Sequence, residues 1–310
     1  MRKLTVTLLI TGLYPALSAA PAHAEDHAPA VSSPVQMIVT VEARRGGNAP
    51  MLNREDFVIH QEKQRLQLVD AVPLLGMAAD LELFVLLDDA SSWTLGSELA
   101  DLRSFINTQS ASTAIGVGYM RNGTVQTLAN LTRDHGSAAN ALRLPMGVSS
   151  SPYLSLSELI KRWPETSARR EVLMITSGAD PLGGMGVMNP YLDTAIEDAQ
   201  RAGIIVYAIY TPGTGHSAHS TFRMTWGQNY LAQLTDETGG EAYMMGFAAP
   251  VSIAPYLADI TQKLTHQYRI TFLANSDNKP GFRSVKITTE VPNAEIVGAS
   301  HVYVPASAAR

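Results

Sequence analysis

Short runs of apolar residues that end in small polar residues are the main signal in this sequence. Residues 81–87 (LELFVLL) run into DDASS, and residues 171–176 (EVLMIT) run into SGAD. Continuous apolar runs of this length between turn residues predict strands buried on both faces. Residues 113–120 and 204–210 have the same character and predict two further buried strands.

Helical patterns lie between these predicted strands. Apolar residues recur every three or four positions in residues 97–107, 191–202 and 253–264, and Gly203 is a stop signal for the second helix. Strands that alternate with helices of this length predict a doubly wound, mostly parallel sheet, which is an α/β fold of the Rossmann-like kind.

The two ends of the chain have a different pattern, in which apolar and polar residues alternate as they do in half-buried strands. Such segments precede and follow the α/β region (residues 35–43, 56–60, 65–72, 268–274, 283–291 and 295–304). Isolated hairpins are only marginally stable, so we expect strands from both ends to form one small β-sandwich into which the α/β domain is inserted.

The first residues have the features of a secretory signal peptide. Arg2 and Lys3 precede an apolar stretch, and Ala22-His23-Ala24 forms a small-residue cleavage signal. We therefore expect cleavage after Ala24 and a secreted or periplasmic protein. No later run approaches the roughly 18 apolar residues of a membrane span, so no membrane insertion is expected after cleavage.

These patterns predict five segments. Residues 1–24 are the signal peptide and residues 25–34 a Pro/Ala/Ser-rich disordered lead-in. Residues 35–76 and 267–310 supply the strands of the β-sandwich, and residues 77–266 form the α/β domain.

Composition narrows the classes of function. The chain has 310 residues and no cysteine, which excludes disulfides, thiolate metal sites and a cysteine nucleophile. Removal of the two basic residues of the signal peptide leaves 21 basic and 28 acidic side chains, a net charge of −7. A mildly acidic chain without a basic run argues against nucleic acid or an anionic membrane as partner.

Polar side chains gather where two of the buried strands end. The loops at the carboxyl ends of parallel strands carry the ligand site in open α/β sheets. Here those loops hold carboxylates and hydroxyls, the oxygen ligands that a hard cation prefers. The candidate residues in the two loops are Asp88, Asp89, Ser91, Ser92, Ser177 and Asp180.

The order of several segments resembles the von Willebrand factor type A (VWA) domain, and in particular the secreted VWA-related family typical of Acidobacteria. Residues 39–69 resemble the opening of that family, and FVLLDDASS stands where the family has a strand that runs into Asp-x-Ser-x-Ser. LANLTRDHGSAANAL, LTDETGGEAYMM and THQYRITFLA resemble later family segments. The resemblance covers nearly the whole mature chain.

The resemblance implies a divalent-cation site that has lost ligands. In intact members the Asp-x-Ser-x-Ser loop, a later hydroxyl and a second Asp together hold Mg²⁺ or Mn²⁺. When the motif is read from Asp88, Ala90 replaces the first serine; when it is read from Asp89, Trp93 replaces the second. Asp88 and Ser92 remain as the expected metal ligands, if a metal binds at all.

The other family positions also depart from the pattern. Ser177 aligns with the second Asp, and the separate hydroxyl has to come from Ser149, Ser150 or Ser151. Asp180 is a possible substitute carboxylate three residues further along. Because Mg²⁺ demands near-octahedral oxygen coordination, we expect no resident cofactor and only weak Mg²⁺ or Mn²⁺ binding. In the alternative interpretation, these side chains only cap helices and satisfy loop backbone.

The sequence therefore predicts an exported, non-enzymatic, adhesion-like module that binds an unknown protein partner through these loops. One alternative is a metal-assisted or serine hydrolase that uses His216, His219 and Asp88, although no convincing nucleophile, base and orienting group come together in the sequence. A purely structural envelope component is the other alternative.

Overall fold

A six-stranded sheet forms the centre of the protein. The structure is a computed structural model that describes residues 32–91, 96–213, 220–276 and 279–306. The predicted signal peptide, its cleavage site and most of the lead-in lie outside the described residues, as do Ser92, Trp93, His216 and His219. Among the described residues, no helix is both long and apolar enough to span a membrane.

The central sheet has the strand order β10-β9-β8-β5-β6-β7, in which every strand is parallel to its neighbour except β7, which runs antiparallel to β6. Counted along the chain within this sheet, the order is 3-2-1-4-5-6, that of the doubly wound α/β fold. Its strands are β5 (Leu81–Asp88), β6 (Thr113–Arg121), β7 (Thr124–Thr132), β8 (Arg169–Thr176), β9 (Ile205–Tyr210) and β10 (Ala242–Tyr243).

Helices cover both faces of this sheet. Alternate residues of β5 point to opposite faces, so that Leu83 and Val85 belong to one apolar cluster and Phe84 and Leu86 to the other. The first cluster includes α1, α2 and α6, and the second α3, α4 and α5. The helices are α1 (Gly96–Thr108), α2 (His135–Asn140), α3 (Pro152–Arg162), α4 (Pro190–Ala202), α5 (Thr221–Thr238) and α6 (Ala254–Leu264).

Strands from both ends of the chain pair in two four-stranded sheets, β13-β1-β11-β4 and β14-β12-β2-β3. The apolar side chains of the two sheets share one buried cluster. The fold class predicted from the sequence is thereby confirmed. These strands are β1 (Ser32–Ala43), β2 (Val58–Gln61), β3 (Gln64–Arg65), β4 (Gln67–Pro73), β11 (Gln267–Asn275), β12 (Gly281–Thr288), β13 (Ala294–Gly298) and β14 (His301–Val304).

Some predicted boundaries were wrong. β1 begins at Ser32 rather than at residue 35, because residues 32–34 already pair with β11. The segment predicted as one strand over residues 295–304 is two strands in different sheets, β13 and β14. The pattern of residues 65–72 is likewise divided between β3 and β4.

A buried polar link joins the central sheet to the strands that follow it. Arg169, at the start of β8, donates hydrogen bonds to the carbonyl oxygen of Leu264 (2.9 Å) and to Oε1 of Gln267 on β11 (2.6 Å). Glu171, two residues further along β8, lies with a carboxylate oxygen 3.9 Å from Nε of Arg169, and both side chains are buried. Burial raises the pKa of Glu171 to about 7, although Arg169 and Gln267 act to lower it.

Candidate functional site

A cavity of about 500 Å³ opens at the carboxyl edge of the central sheet. Its lining comes from the loops that follow β5, β8 and β9, from the connection between α2 and α3, and from the first turn of α5. Sites at this edge are the rule for open α/β sheets. The lining residues are Asp88, Ala90, Gly147, Ser149, Ser150, Ser177, Ala179, Asp180, Pro181, Gly184, Met185, Gly213 and Arg223.

Asp88 lies at the floor of this cavity, buried at the end of β5. Its Oδ2 accepts a hydrogen bond from the hydroxyl of Thr176 (2.7 Å), and its Oδ1 accepts one from the backbone N–H of Ala90 (2.8 Å). Burial raises the pKa of Asp88, and hydrogen bonds from Ser150, Thr176, Ala90 and Ser177 oppose that rise. Groups of the chain itself thus donate hydrogen bonds to both oxygens of Asp88. This agrees with the interpretation in which these side chains cap helices and bind loop backbone rather than a metal.

Asp180 also lines the cavity, but the described residues satisfy only one of its oxygens. Oδ1 accepts hydrogen bonds from the hydroxyl of Ser151 (2.8 Å) and from the backbone N–H groups of Leu182 (3.0 Å) and Gly183 (3.1 Å). Oδ2 is buried and has no hydrogen-bond partner in the described part of the chain. A buried acceptor without a hydrogen bond lowers the stability of the folded state. Of the atoms that line the cavity, this oxygen therefore has the most to gain from a ligand that donates a hydrogen bond.

Asp89, a further candidate residue of the predicted site, does not line the cavity. The side chain is buried and ion-paired with Arg143 (2.7 Å) and Arg121 (3.3 Å), and it also accepts a hydrogen bond from the backbone N–H of Met146 (2.8 Å). Burial alone would raise the pKa of Asp89, but these partners outweigh it and lower the pKa. Asp89 instead anchors the loop that precedes Gly147.

Of the serines predicted for the site, some line the cavity and one lies beside it. Ser149 and Ser177 line the cavity together with Asp88, so the structure brings together residues that are far apart in sequence. Ser91 is buried beside the cavity and accepts a hydrogen bond from the hydroxyl of Thr211 (3.0 Å). Ser92 lies outside the described residues.

Two glycines set the position of the loop after β8. Gly178 has a left-handed backbone conformation (φ 66°), and Gly227 of α5 lies so close that a Cβ on it would be 2.2 Å from the carbonyl oxygen of Ser177. The hydroxyl of Tyr153 donates to the carbonyl oxygen of Gly178 (2.9 Å). Backbone contact with α5 therefore fixes Ser177 and Asp180 at the cavity.

The residues present do not fit the magnesium site implied by the resemblance. Ala90 presents a methyl group and Ser177 a neutral hydroxyl at positions where an intact site has an oxygen ligand and a carboxylate. Among the described residues, no group of three or more His, Asp or Glu side chains lies together as a metal site would require.

Exposed apolar side chains cluster on the loops at this edge of the sheet. They belong to the connection between α2 and α3, the loop after β8, the start of α5 and the loop after β10. Nine of the thirteen large apolar side chains that are exposed in the described part of the chain lie there: Leu144, Met146, Leu182, Val187, Met188, Phe222, Met245, Phe247 and Val251. We call these nine side chains the apolar rim. Sequence patterns missed it, because these loops lack periodicity.

No family model matches the chain, and no curated protein matches its sequence. Among solved structures, the chain is similar to a VWA protein from Catenulispora acidiphila (11% identity, 87% of this chain and 73% of that one, TM-score 0.43). It is also similar to the von Willebrand factor domain of the pilus tip protein Mfa5 from Porphyromonas gingivalis (9% identity, 59% and 94%, TM-score 0.42).

A third similar structure is the VWA domain of SpRpn10 (14% identity, 58% of this chain and 94% of that one, TM-score 0.38). VWA domains, the family that the sequence resembles, are thus among the similar solved structures. At these identities and TM-scores the likenesses concern the fold alone, and the strand order of the central sheet carries the assignment of the architecture.

Proposed function

We propose that this chain is an exported, non-enzymatic protein-interaction module that binds a protein partner through the loops at the carboxyl edge of its central sheet. The apolar rim is the observation that carries the proposal. Exposed apolar side chains that are concentrated at one edge of a domain are typical of an interaction site, and here they lie on the loops around the cavity. The signal-peptide pattern of residues 1–24 supports export.

We expect a charged substitution in the apolar rim to abolish partner binding. Leu182→Asp combined with Met188→Asp places two charges in the proposed contact surface, where desolvating them would cost several kcal/mol. Capture of the partner from the native envelope fraction is the measurement, and Leu128→Asp, on the distant edge strand β7, is the matched control. Capture by the rim variant equal to that by the Leu128→Asp control would contradict binding through the apolar rim.

Chelators are expected to leave partner capture unchanged, because the described residues lack the ligand set of an intact cation site. The measurement is capture with and without EDTA, followed by addition of excess Mg²⁺ or Mn²⁺. A loss of capture that divalent cations restore would refute the proposed cation independence.

Restoration of the lost ligands is expected to create a cation site. Ala90 and Ser177 both line the cavity beside Asp88, so Ala90→Ser together with Ser177→Asp supplies a hydroxyl and a carboxylate at the family positions. Calorimetry should then detect Mg²⁺ or Mn²⁺ binding that Ala90→Ser alone does not give. A silent titration of the folded double variant would show that the site has been placed wrongly.

A further inference from the structure

The charges that line the cavity give it a net negative character. Asp88 and Asp180 are buried in its wall, and the guanidinium of Arg223 is exposed at its mouth. No other charged side chain lines the cavity among the described residues. A positively charged group that enters the cavity therefore meets two buried carboxylates, which water screens less than it screens the exposed guanidinium.

The two carboxylates differ in what they still require. Asp88 accepts hydrogen bonds at both oxygens, whereas Asp180 accepts three at Oδ1 and none from the described residues at Oδ2. An ionised carboxylate is an acceptor only, so the group that satisfies Oδ2 has to be a donor. Because that oxygen is buried, a donor reaches it only when neighbouring side chains shift, and the donor has to be compact.

Neutral acceptors and apolar groups also line the cavity. Hydroxyls of Ser149 and Ser177 line the cavity, as do Pro181 and Met185. A primary ammonium group carries three donors on a compact head, and the aliphatic stem of a lysine packs against apolar side chains while its head stays polar. The lining therefore offers acceptors for the head of a lysine and an apolar wall for its stem.

We propose that the cavity receives a lysine side chain of the protein partner, whose ammonium group donates a hydrogen bond to Oδ2 of Asp180 while neighbouring residues of the partner pack on the apolar rim. This inference rests on the proposed function and names the chemistry of the partner. In this arrangement the cavity contributes the negative charge and the partner the positive one.

The test uses Nα-acetyl-lysine methylamide as the probe in an NMR titration of the purified chain. Its uncharged Nε-acetylated form, sodium acetate and MgCl₂ are titrated in parallel. We expect the lysine amide to shift the backbone resonances of residues 178–184 and the Nε-acetylated form to leave them unchanged. Equal shifts from both forms, or none from the lysine amide, would overturn the inference.

Substitutions locate the binding group. Asp180→Asn keeps an acceptor for the three hydrogen bonds at Oδ1 and replaces only the unsatisfied oxygen by a donor, so it should weaken lysine-amide binding at least tenfold. Asp193→Asn, which makes the same charge change on the exposed face of α4, should not. Equal weakening by both would show a general charge effect and count against the site.

Arg223 provides a second test that does not depend on the folding of the Asp180 variant. Arg223→Gln removes the positive charge at the mouth and should strengthen lysine-amide binding. Acetate binding that Arg223→Gln abolishes would make the cavity an anion site, and Mg²⁺ binding that Asp180→Asn abolishes would make it a metal site. Either result overturns the inference, and the proposed function stands as long as capture still depends on Leu182 and Met188.

Discussion

Replacement of Gly227 by alanine is expected to lower the free energy of unfolding by about 3 kcal/mol. Alanine normally stabilises a helix relative to glycine by up to about 1 kcal/mol. Here the new Cβ would lie 2.2 Å from the carbonyl oxygen of Ser177 and 3.1 Å from the backbone nitrogen of Ala179, so α5 and the loop after β8 have to separate. Urea denaturation at neutral pH measures the change.

Gly136→Ala is the matched control for this substitution. Gly136 lies in α2 with an ordinary backbone conformation, and a Cβ there would make only an ordinary contact at 3.5 Å with Oδ1 of Asp134. That variant should be as stable as the wild type or slightly more stable. An unfolding free energy for Gly227→Ala equal to that of Gly136→Ala would show that α5 does not position the loop that carries Ser177 and Asp180.

Disruption of the buried pair at the other edge of the sheet is expected to have an effect of similar size. Arg169→Met removes the cation beside Glu171 and leaves a buried carboxylate without its ion-pair partner, which typically costs about 3–5 kcal/mol. It also removes the hydrogen bonds to Leu264 and Gln267. Chemical denaturation at pH 8, where the carboxylate of Glu171 is ionised in the wild type, measures the loss.

Glu171→Gln should change how stability depends on pH. The pKa of Glu171 is raised from 4.5 to about 7 by burial, so the unfolded chain releases this proton first as the pH rises. Glu171 therefore lowers stability progressively between about pH 4.5 and 7, by about 2 kcal/mol between pH 5 and 8. Glu171→Gln lacks this decline.

The free energies of unfolding of the wild type and of Glu171→Gln are compared at pH 5 and pH 8. The difference isolates the contribution of Glu171, because other titrating groups such as Glu98 are common to both proteins. The wild type should lose more stability over this interval than Glu171→Gln. Parallel stability profiles would mean that the carboxylate of Glu171 titrates as it does in water.

The buried strands of the central sheet could be predicted because burial on both faces leaves a continuous apolar run, as in β5 and β8. The edge strand β7 was missed, since most of its side chains are exposed or half-buried and its apolar pattern is weak. The helix α5 was missed for a similar reason. It begins after residues of no clear pattern, and its apolar residues do not form one regular stripe.

The site could be predicted only in part. Strand ends placed Asp88 and Ser177 at one edge, because the carboxyl ends of parallel strands meet there. The sequence did not show that Arg121 and Arg143 pair with Asp89, since these partners are brought together only by the fold. Nor did it show that Asp180, rather than Asp88, has an oxygen without a partner among the described residues. That depends on which backbone N–H groups donate to each carboxylate.

Site-specific photocrosslinking tests the central claim most directly, in the cell envelope to which we propose the chain is exported. A photoreactive residue is placed at Met188 or Phe247 in the apolar rim, or at Leu128 on β7, each of which is exposed. We expect one common adduct from both rim positions and none from β7, with or without chelator. An adduct from Leu128 with none from the rim positions would contradict the account.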